Sequence, residues 1–185
     1  MTPTSTTMKF CSNCGSTVDL QIPAGDNLPR YMCRACGAIH YQNPKIVTGC
    51  VPVWQNEILL CKRAIEPRLG FWTIPAGFME NGETLEEAAQ RETHEEACAE
   101  VAISGLYAVW NLPHVNQVYV IFRAQLITKK FASGSESLDV GLFKRDDIPW
   151  RQMAFPVITQ TLKRYFDDRP NEHYPPFIDT ITPKR

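Results

Sequence analysis

Between residues 46 and 127 the apolar positions fall in short runs rich in β-branched and aromatic side chains, broken by turn residues. "IVTGCVPVW" and "EILLCKRA" read as two strands joined by a turn around Gln55 and Asn56. "GFWTIPAGF" reads as a short strand that ends in a glycine turn, and "ISGLYAVWNL" and "QVYVIFRAQLI" as two further strands. "SLDVGLFKRDDIPW" holds one more short strand. Two stretches carry a helical period instead. "TLEEAAQRETHEEA" opens on a capping-box pattern, with Thr84 as N-cap and Glu87 three residues on. "PVITQTLKRYFDD" lines up Val157, Ile158, Leu162, Tyr165 and Phe166 on one side, with Pro156 near its start. The order predicts a mixed α/β domain over residues 44–168.

The flanks have a different texture. Residues 1–8 read as a frayed tail. Residues 9–43 hold too few large apolar side chains to fold by burial alone, and "QNPK" reads as a linker. From Arg169 onward, four prolines and few core candidates predict a segment, 169–185, that is disordered or draped over a neighbour.

Composition narrows the class. The 185 residues are 44% hydrophobic and 21% charged, with a net charge of -1, which suits a soluble globular chain with a real core. No apolar run approaches the ~20 residues that span a bilayer. The opening "MTPTSTTMKF" lacks the apolar segment of a signal peptide, so a cytoplasmic location is expected. In that setting the seven cysteines suggest metal binding or buried thiols rather than disulfides.

Cys11, Cys14, Cys33 and Cys36 form two CxxC pairs, each followed by a glycine, Gly15 or Gly37, where a positive φ turns backbone N–H groups toward the sulfurs. Four thiolates are the tetrahedral set that Zn²⁺ prefers, and a closed set is structural. Redox dithiols are the competing reading. Four basic against two acidic residues in 1–45 leave +2, which the -2 of a zinc tetrathiolate cancels. That is a poor footprint for a phosphate backbone, so nucleic acid is not an expected partner for this module. Packing or dimerisation is the preferred role. Cys50, Cys61 and Cys98 read as small buried hydrophobes.

Eight glutamates crowd residues 77–100 beside a single arginine. At ~100° per residue, Leu85, Ala88, Ala89, Glu95 and Glu96 all lie within about 60° of Glu92. Three carboxylates thus continue an apolar stripe, where they repel one another and lose hydration. An ordinary acidic helix is one reading. A site for Mg²⁺ or Mn²⁺ is the other, since hard cations take clustered oxygens.

"GFMENGETLEEAAQRETHEEACA" resembles the Nudix box, G-x5-E-x7-R-E-U-x-E-E-x-G-U with U bulky and aliphatic. Gly77, Glu83, Arg91, Glu92, Glu95 and Glu96 match; Thr93, Cys98 and Ala99 depart at structural positions. The resemblance implies a Nudix α/β/α sandwich with a mixed sheet, preceded by a small four-cysteine zinc ribbon. It implies a hydrolase of nucleoside diphosphates linked to another moiety. By position, Glu92 and Glu96 would ligate Mg²⁺ with Glu95 close by, the Gly77 carbonyl would assist, and Glu83 would pair with Arg91. Glu95 and Glu136 are both candidates for the general base.

Zinc-ribbon NADH pyrophosphatases carry a further motif after the box, close to SQPWPFPxS, which this chain lacks. "KFCSNCG", "HYQNPKIV", "CKRAIEPRLGFWTIPAGFMENGET" and "IPWRQMAFP" are similar instead to bacterial zinc-ribbon Nudix proteins and to plant chloroplast FAD and ADP-ribose pyrophosphatases. That implies FAD or ADP-ribose as substrate, AMP as a product, and a homodimer. NADH, NAD-capped RNA, or a nucleotide sensor whose ribbon binds nucleic acid are the alternatives. Arg63 and Arg68 flank the Gly77 turn and are candidates for the diphosphate, against a reading as surface salt bridges. Trp110, Tyr119 and Phe155 are stacking candidates, with core as the preferred reading for each. His94 is expected on the surface, and the lone histidines His40 and His114 are weak ligand candidates.

Overall fold

The computed structural model describes residues 7–171 and 173–182; most of the expected frayed tail, residues 1–6, and Pro183–Arg185 lie outside the described residues. The chain divides between Pro44 and Lys45 into two compact units.

The first unit is a three-stranded antiparallel sheet of β1 (Val18–Gln21), β2 (Arg30–Cys33) and β3 (Ile39–His40). Its buried residues are Cys11, Pro23 and Cys33, while Phe10, Leu20, Ile22 and Tyr41 are all exposed. The interior of this sheet is therefore mostly sulfur.

The second unit is built on an eight-stranded mixed sheet. Its strands are β4 (Lys45–Trp54), β5 (Glu57–Arg63), β6 (Trp72–Thr73), β7 (Ala76–Phe78), β8 (Val101–Leu112), β9 (Gln117–Leu126), β10 (Ser137–Phe143) and β11 (Phe177–Thr180). The main path runs β10-β5-β4-β9-β8-β11, with β6 against β5 and β7 against β4. The β4–β9 and β8–β11 pairs are parallel and the others antiparallel. Helix α1 (Leu85–Ala97) and helix α2 (Pro156–Asp168) supply the apolar faces that cover the sheet. Alternation along β4 makes the two layers. Val47, Val51 and Val53 enter one core with Tyr107, Trp110 and the α2 residues Val157, Ile158 and Leu162; Cys50 enters another with Phe122 and the α1 residues Ala89 and Ala97. This is the mixed α/β sandwich that the sequence predicts. No helix among the described residues is long and apolar enough to cross a membrane.

Local chemistry fixes both ends of α1. Thr84 Oγ1 accepts from Glu87 N at 3.2 Å, and Glu87 Oε2 accepts from Thr84 N at 2.8 Å. The helix stops at Cys98, which adopts the left-handed conformation at φ 47. Cys98 is exposed, a correction to its reading as a buried hydrophobe, because a residue that ends a helix in this conformation turns its side chain outward. Cys50 and Cys61 are buried. Thr93, where the box calls for an aliphatic residue, is buried and donates to Ala89 O at 2.8 Å. Its one proton being used there, the Cys50 thiol at 3.1 Å donates to Thr93 Oγ1.

The segment after Arg169 is the main correction. β11 adds to the sheet beside β8, with Phe177 opposite Ala108. Phe177 packs edge-on against Trp110 and Tyr107 at centroid distances of 5.3 and 5.4 Å, and Tyr174 stacks on Tyr165 at 5.2 Å. Pro175 and Pro176 precede the strand, positions a sheet edge tolerates.

Candidate active site

In the first unit the four cysteine sulfurs lie within 4.8 Å of one another. The Cys11–Cys36 and Cys14–Cys33 sulfur pairs stand at 3.6 and 3.5 Å, near the edge of about 3.8 Å that a tetrahedron with ~2.3 Å Zn–S bonds requires. Gly15 and Gly37 have φ of 75 and 73, and each donates its N–H back to the first cysteine of its pair, at 2.9 and 2.8 Å. The two knuckles are thus the same turn made twice. Asn13 N at 3.4 Å and His40 Nε2 at 3.3 Å approach Cys11 Sγ. His40 stands beside the sulfur cluster rather than in it. The donor set fits Zn²⁺.

In the second unit β7 and α1 bring the acidic residues together. β7 pairs with β4 so that Gly77 sits opposite Thr48, and Thr48 Oγ1 donates to Leu85 O at 3.0 Å at the start of α1. A Cβ on Gly77 would overlap the Glu92 carboxylate, so glycine is required for that carboxylate to lie against the backbone. Glu92 and Glu96 are 9% and 6% exposed. Burial pushes the Glu96 carboxyl up to about 8, with the Glu92 charge adding and Arg63 partly offsetting. Burial also raises Glu92. Two buried carboxylates that resist losing their protons make a donor set that fits a hard divalent cation.

Arg91 holds the set in place. Its Nε and Nη2 grip Glu83 at 2.9 and 2.8 Å, Nη2 donates to Phe78 O at 3.2 Å, and Nη1 reaches Glu92 at 2.8 Å and Glu95 at 3.0 Å. This fork brings Glu83 down to about 2, aided by the Glu80 N–H. Glu95 is exposed at the rim. Glu136 arrives on the loop before β10, which rests on the end of α1: Ala132 N donates to Ala97 O at 2.9 Å and Gly134 N to Glu96 O at 3.0 Å. A Cβ at Gly134 would collide with the Glu95 carbonyl. Glu136 is close enough for its charge to raise both Glu92 and Glu96.

Gly77, Arg91, Glu92, Glu95, Glu96 and Glu136 line a cleft of about 690 Å³. Arg63 lines it, donating to Pro67 O at 2.8 Å and lying 5.2 Å from the Phe155 ring. Arg68 does not line the cleft; it is exposed at φ 69 and covers Phe71. Tyr119 and Phe155 line the cleft, whereas Trp110 is core and donates to Thr161 Oγ1 at 2.8 Å. His94 is exposed. His114, Gln117 and Ile181 also line the cleft. Gln117 and Ile181 lie outside the motif and were not singled out by sequence. Gly134 was likewise missed, although a glycine amid "SGS" shortly after a catalytic helix is the kind of signal a close backbone approach leaves.

The NUDIX domain family matches residues 43–164, and the zinc-ribbon family described as Nudix N-terminal matches residues 9–42. The chain belongs to the Nudix family, as a zinc-ribbon Nudix protein, and is a hydrolase of phosphorus anhydrides. A crystal structure of a NUDIX hydrolase from Nitrosomonas europaea is 56% identical, with a TM-score of 0.91 over 94% of this chain and 99% of that one. An ADP-ribose pyrophosphatase from Methanocaldococcus jannaschii is 30% identical over 121 residues, 62% of this chain and 69% of its own length. An NAD-capped RNA hydrolase from Chromobacterium violaceum is 30% identical over 163 residues, 86% of this chain. The match spans 58% of that enzyme's length, and 32% of its counterpart from Vibrio parahaemolyticus.

Proposed function

We propose that the protein is a Mg²⁺- or Mn²⁺-dependent pyrophosphatase that splits a nucleoside diphosphate linked to another moiety, FAD or ADP-ribose, and releases AMP. The observation that carries this is the burial of the Glu92 and Glu96 carboxylates in the lining of a cleft that Arg63 and several apolar side chains also line. When bound there, the divalent cation neutralises charge on the diphosphate and activates water for attack at phosphorus. Glu92 and Glu96, with Glu95 at the rim and the Gly77 carbonyl nearby, would hold it. Arg63, facing into the same cleft, contacts the diphosphate.

A general base must accept the proton of the attacking water as the P–O anhydride bond breaks. Glu95 is engaged by Arg91 through a 3.0 Å ion pair, which occupies its carboxylate. The Glu136 side chain has no hydrogen bond or ion pair among the described residues. Glu136 is therefore the base in this reading. Zn²⁺ in the four-cysteine cluster is structural. The homodimer and the cytoplasmic location belong to the same reading.

NAD-capped RNA is the second substrate reading, favoured by the names of several relatives. The near-neutral charge of the ribbon weighs against a long RNA contact. One experiment separates the two: AMP release from FAD, ADP-ribose, NADH, NAD and capped RNA in Mg²⁺. Fastest cleavage of FAD or ADP-ribose is expected, with loss of more than ~100-fold in Glu96→Gln and a similar loss, confined to kcat, in Glu136→Gln. Preference for capped RNA would replace the substrate but keep the chemistry.

A further inference from the structure

The loop that carries Glu136 approaches the end of α1 more closely than a side chain would allow. A Cβ built on Gly134 would overlap the backbone carbonyl of Glu95 and crowd that of Glu96. The φ of Gly134 lies outside the left-handed region, so closeness, not backbone conformation, calls for glycine here. Gly134 is not among the residues that line the cleft, so contact with a substrate there does not explain it.

The approach has two local effects. The last carbonyls of a helix have no partner within it. Gly134 N donates to Glu96 O at 3.0 Å and Ala132 N to Ala97 O at 2.9 Å, so the loop caps α1. The same contact fixes the chain two residues on. Ser137 N donates to Gly134 O at 3.1 Å, closing a four-residue turn with Glu136 at its third position. Just beyond β5, Ala64 N donates to Glu136 O at 2.8 Å, and Ser137 stands opposite Arg63 in the β10–β5 pair. The Glu136 backbone is thus held from both sides.

Glu95 and Glu96, against which Gly134 packs, line the cleft, and so does Glu136. The Glu136 charge reaches both Glu92 and Glu96 and raises each. With no hydrogen bond or ion pair of its own among the described residues, the Glu136 side chain depends on its backbone for position. We infer that Gly134 is a positioning residue for Glu136: the contact of its backbone with the last turn of α1 sets where the Glu136 carboxylate stands relative to those of Glu92 and Glu96. The inference rests on the proposed reading of Glu136 as the general base, and it adds what keeps that base in place.

The test uses the full chain with Gly134→Ala, Glu136→Gln and the double variant. The substrate is whichever of FAD, ADP-ribose, NADH, NAD and capped RNA wild type cleaves fastest, so the outcome does not depend on the choice among them. Hydrolysis in Mg²⁺ reads kcat and KM. Binding of Mn²⁺ alone, followed by its paramagnetic resonance, reads the carboxylate site without turnover, and a melting curve reads folding. The added methyl must push the loop off the helix, and a displacement of about 1 Å at a reacting group costs up to about 100-fold. Gly134→Ala is expected to lower kcat by about 10–100-fold, with KM and Mn²⁺ affinity within about threefold of wild type. In the Glu136→Gln background it is expected to cost no more in kcat, because both changes act through one side chain. A loss undiminished in that background, or one that tracks lost Mn²⁺ affinity, would show the glycine acting on the helix carboxylates and overturn the inference. Full activity in Gly134→Ala would overturn it too. Full activity in Glu136→Gln would overturn the base reading first, and the inference with it. If Gly134→Ala does not fold, Ala132→Pro removes the neighbouring N–H and leaves Gly134 in place, and the same dependence on Glu136 is then required.

Discussion

Cys98 occupies a backbone conformation that glycine adopts at no steric cost. At φ 47 an L side chain is crowded against its own backbone, and the strain is about 1 kcal/mol. The exposed thiol has no partner within the core to offset it. Cys98→Gly is therefore expected to stabilise the second unit by about 1 kcal/mol, seen as a rise of ~2–4 °C in melting temperature. An unchanged or lower melting point would mean that glycine's extra freedom in the unfolded chain outweighs the relief. Glu83 makes the opposite kind of contribution. Its carboxyl is held at about 2 in the folded protein against an ordinary 4.5, through Arg91. A lowered folded value means the contribution is complete above about 4.5 and drains away as pH falls toward 2. Glu83→Gln should lose stability at neutral pH, and the gap from wild type should close in acid melts across that window. Because Arg91 then loses its bidentate partner and holds Glu92 less firmly, kcat/KM should fall by roughly 10–100-fold.

At the scale of elements, legibility in the sequence followed the range of the interactions. α1 could be read because its determinants are local: a capping box, a 3.6 period and carboxylates spaced to share a face. β4, β5, β8 and β9 could be read because each buries several side chains; β1 to β3, which bury only Cys33 among them, could not, and the single strand read over residues 70–78 is two, β6 and β7. β11 could not, because it buries a single residue, Phe177, and pairs in parallel with a strand almost seventy residues earlier in the chain. Four residues with one inward side chain show no alternation, and the surrounding prolines look like a breaker. The acidic lining of the cleft was legible as fixed spacing, whereas much of its apolar lining comes from β8, β9, the residue before α2 and the chain after β11, so no window of sequence contains it. Phe177 anchors the last of these pieces. Phe177→Ala should cost about 3 kcal/mol in denaturant melts, since it empties a site between Trp110 and Tyr107. Ile181, which donates its N–H to Asn111 O at 2.9 Å and lines the cleft, is carried by the same strand, so KM should rise more than kcat falls. A stability loss with unchanged KM would separate β11 from the substrate site.

At the scale of the whole chain, the two units are stabilised by different physics, and metal removal should tell them apart. The second unit has two apolar cores and two helices to cover them. The first buries little besides Cys11 and Cys33, both members of the sulfur cluster. A segment of this size with so little buried carbon is expected to draw its folding free energy from an ion held by the four sulfurs. All four tryptophans, Trp54, Trp72, Trp110 and Trp150, belong to the second unit, so intrinsic tryptophan emission is silent about the first. A zinc-selective chelator, added with Mg²⁺ in excess, is expected to leave the tryptophan melting transition in place. Limited proteolysis under the same conditions should open new cleavage sites within residues 9–42, and restored Zn²⁺ should close them. A tryptophan transition that collapses along with the ribbon would show that the second unit's stability depends on the ribbon fold, and that its own cores are insufficient.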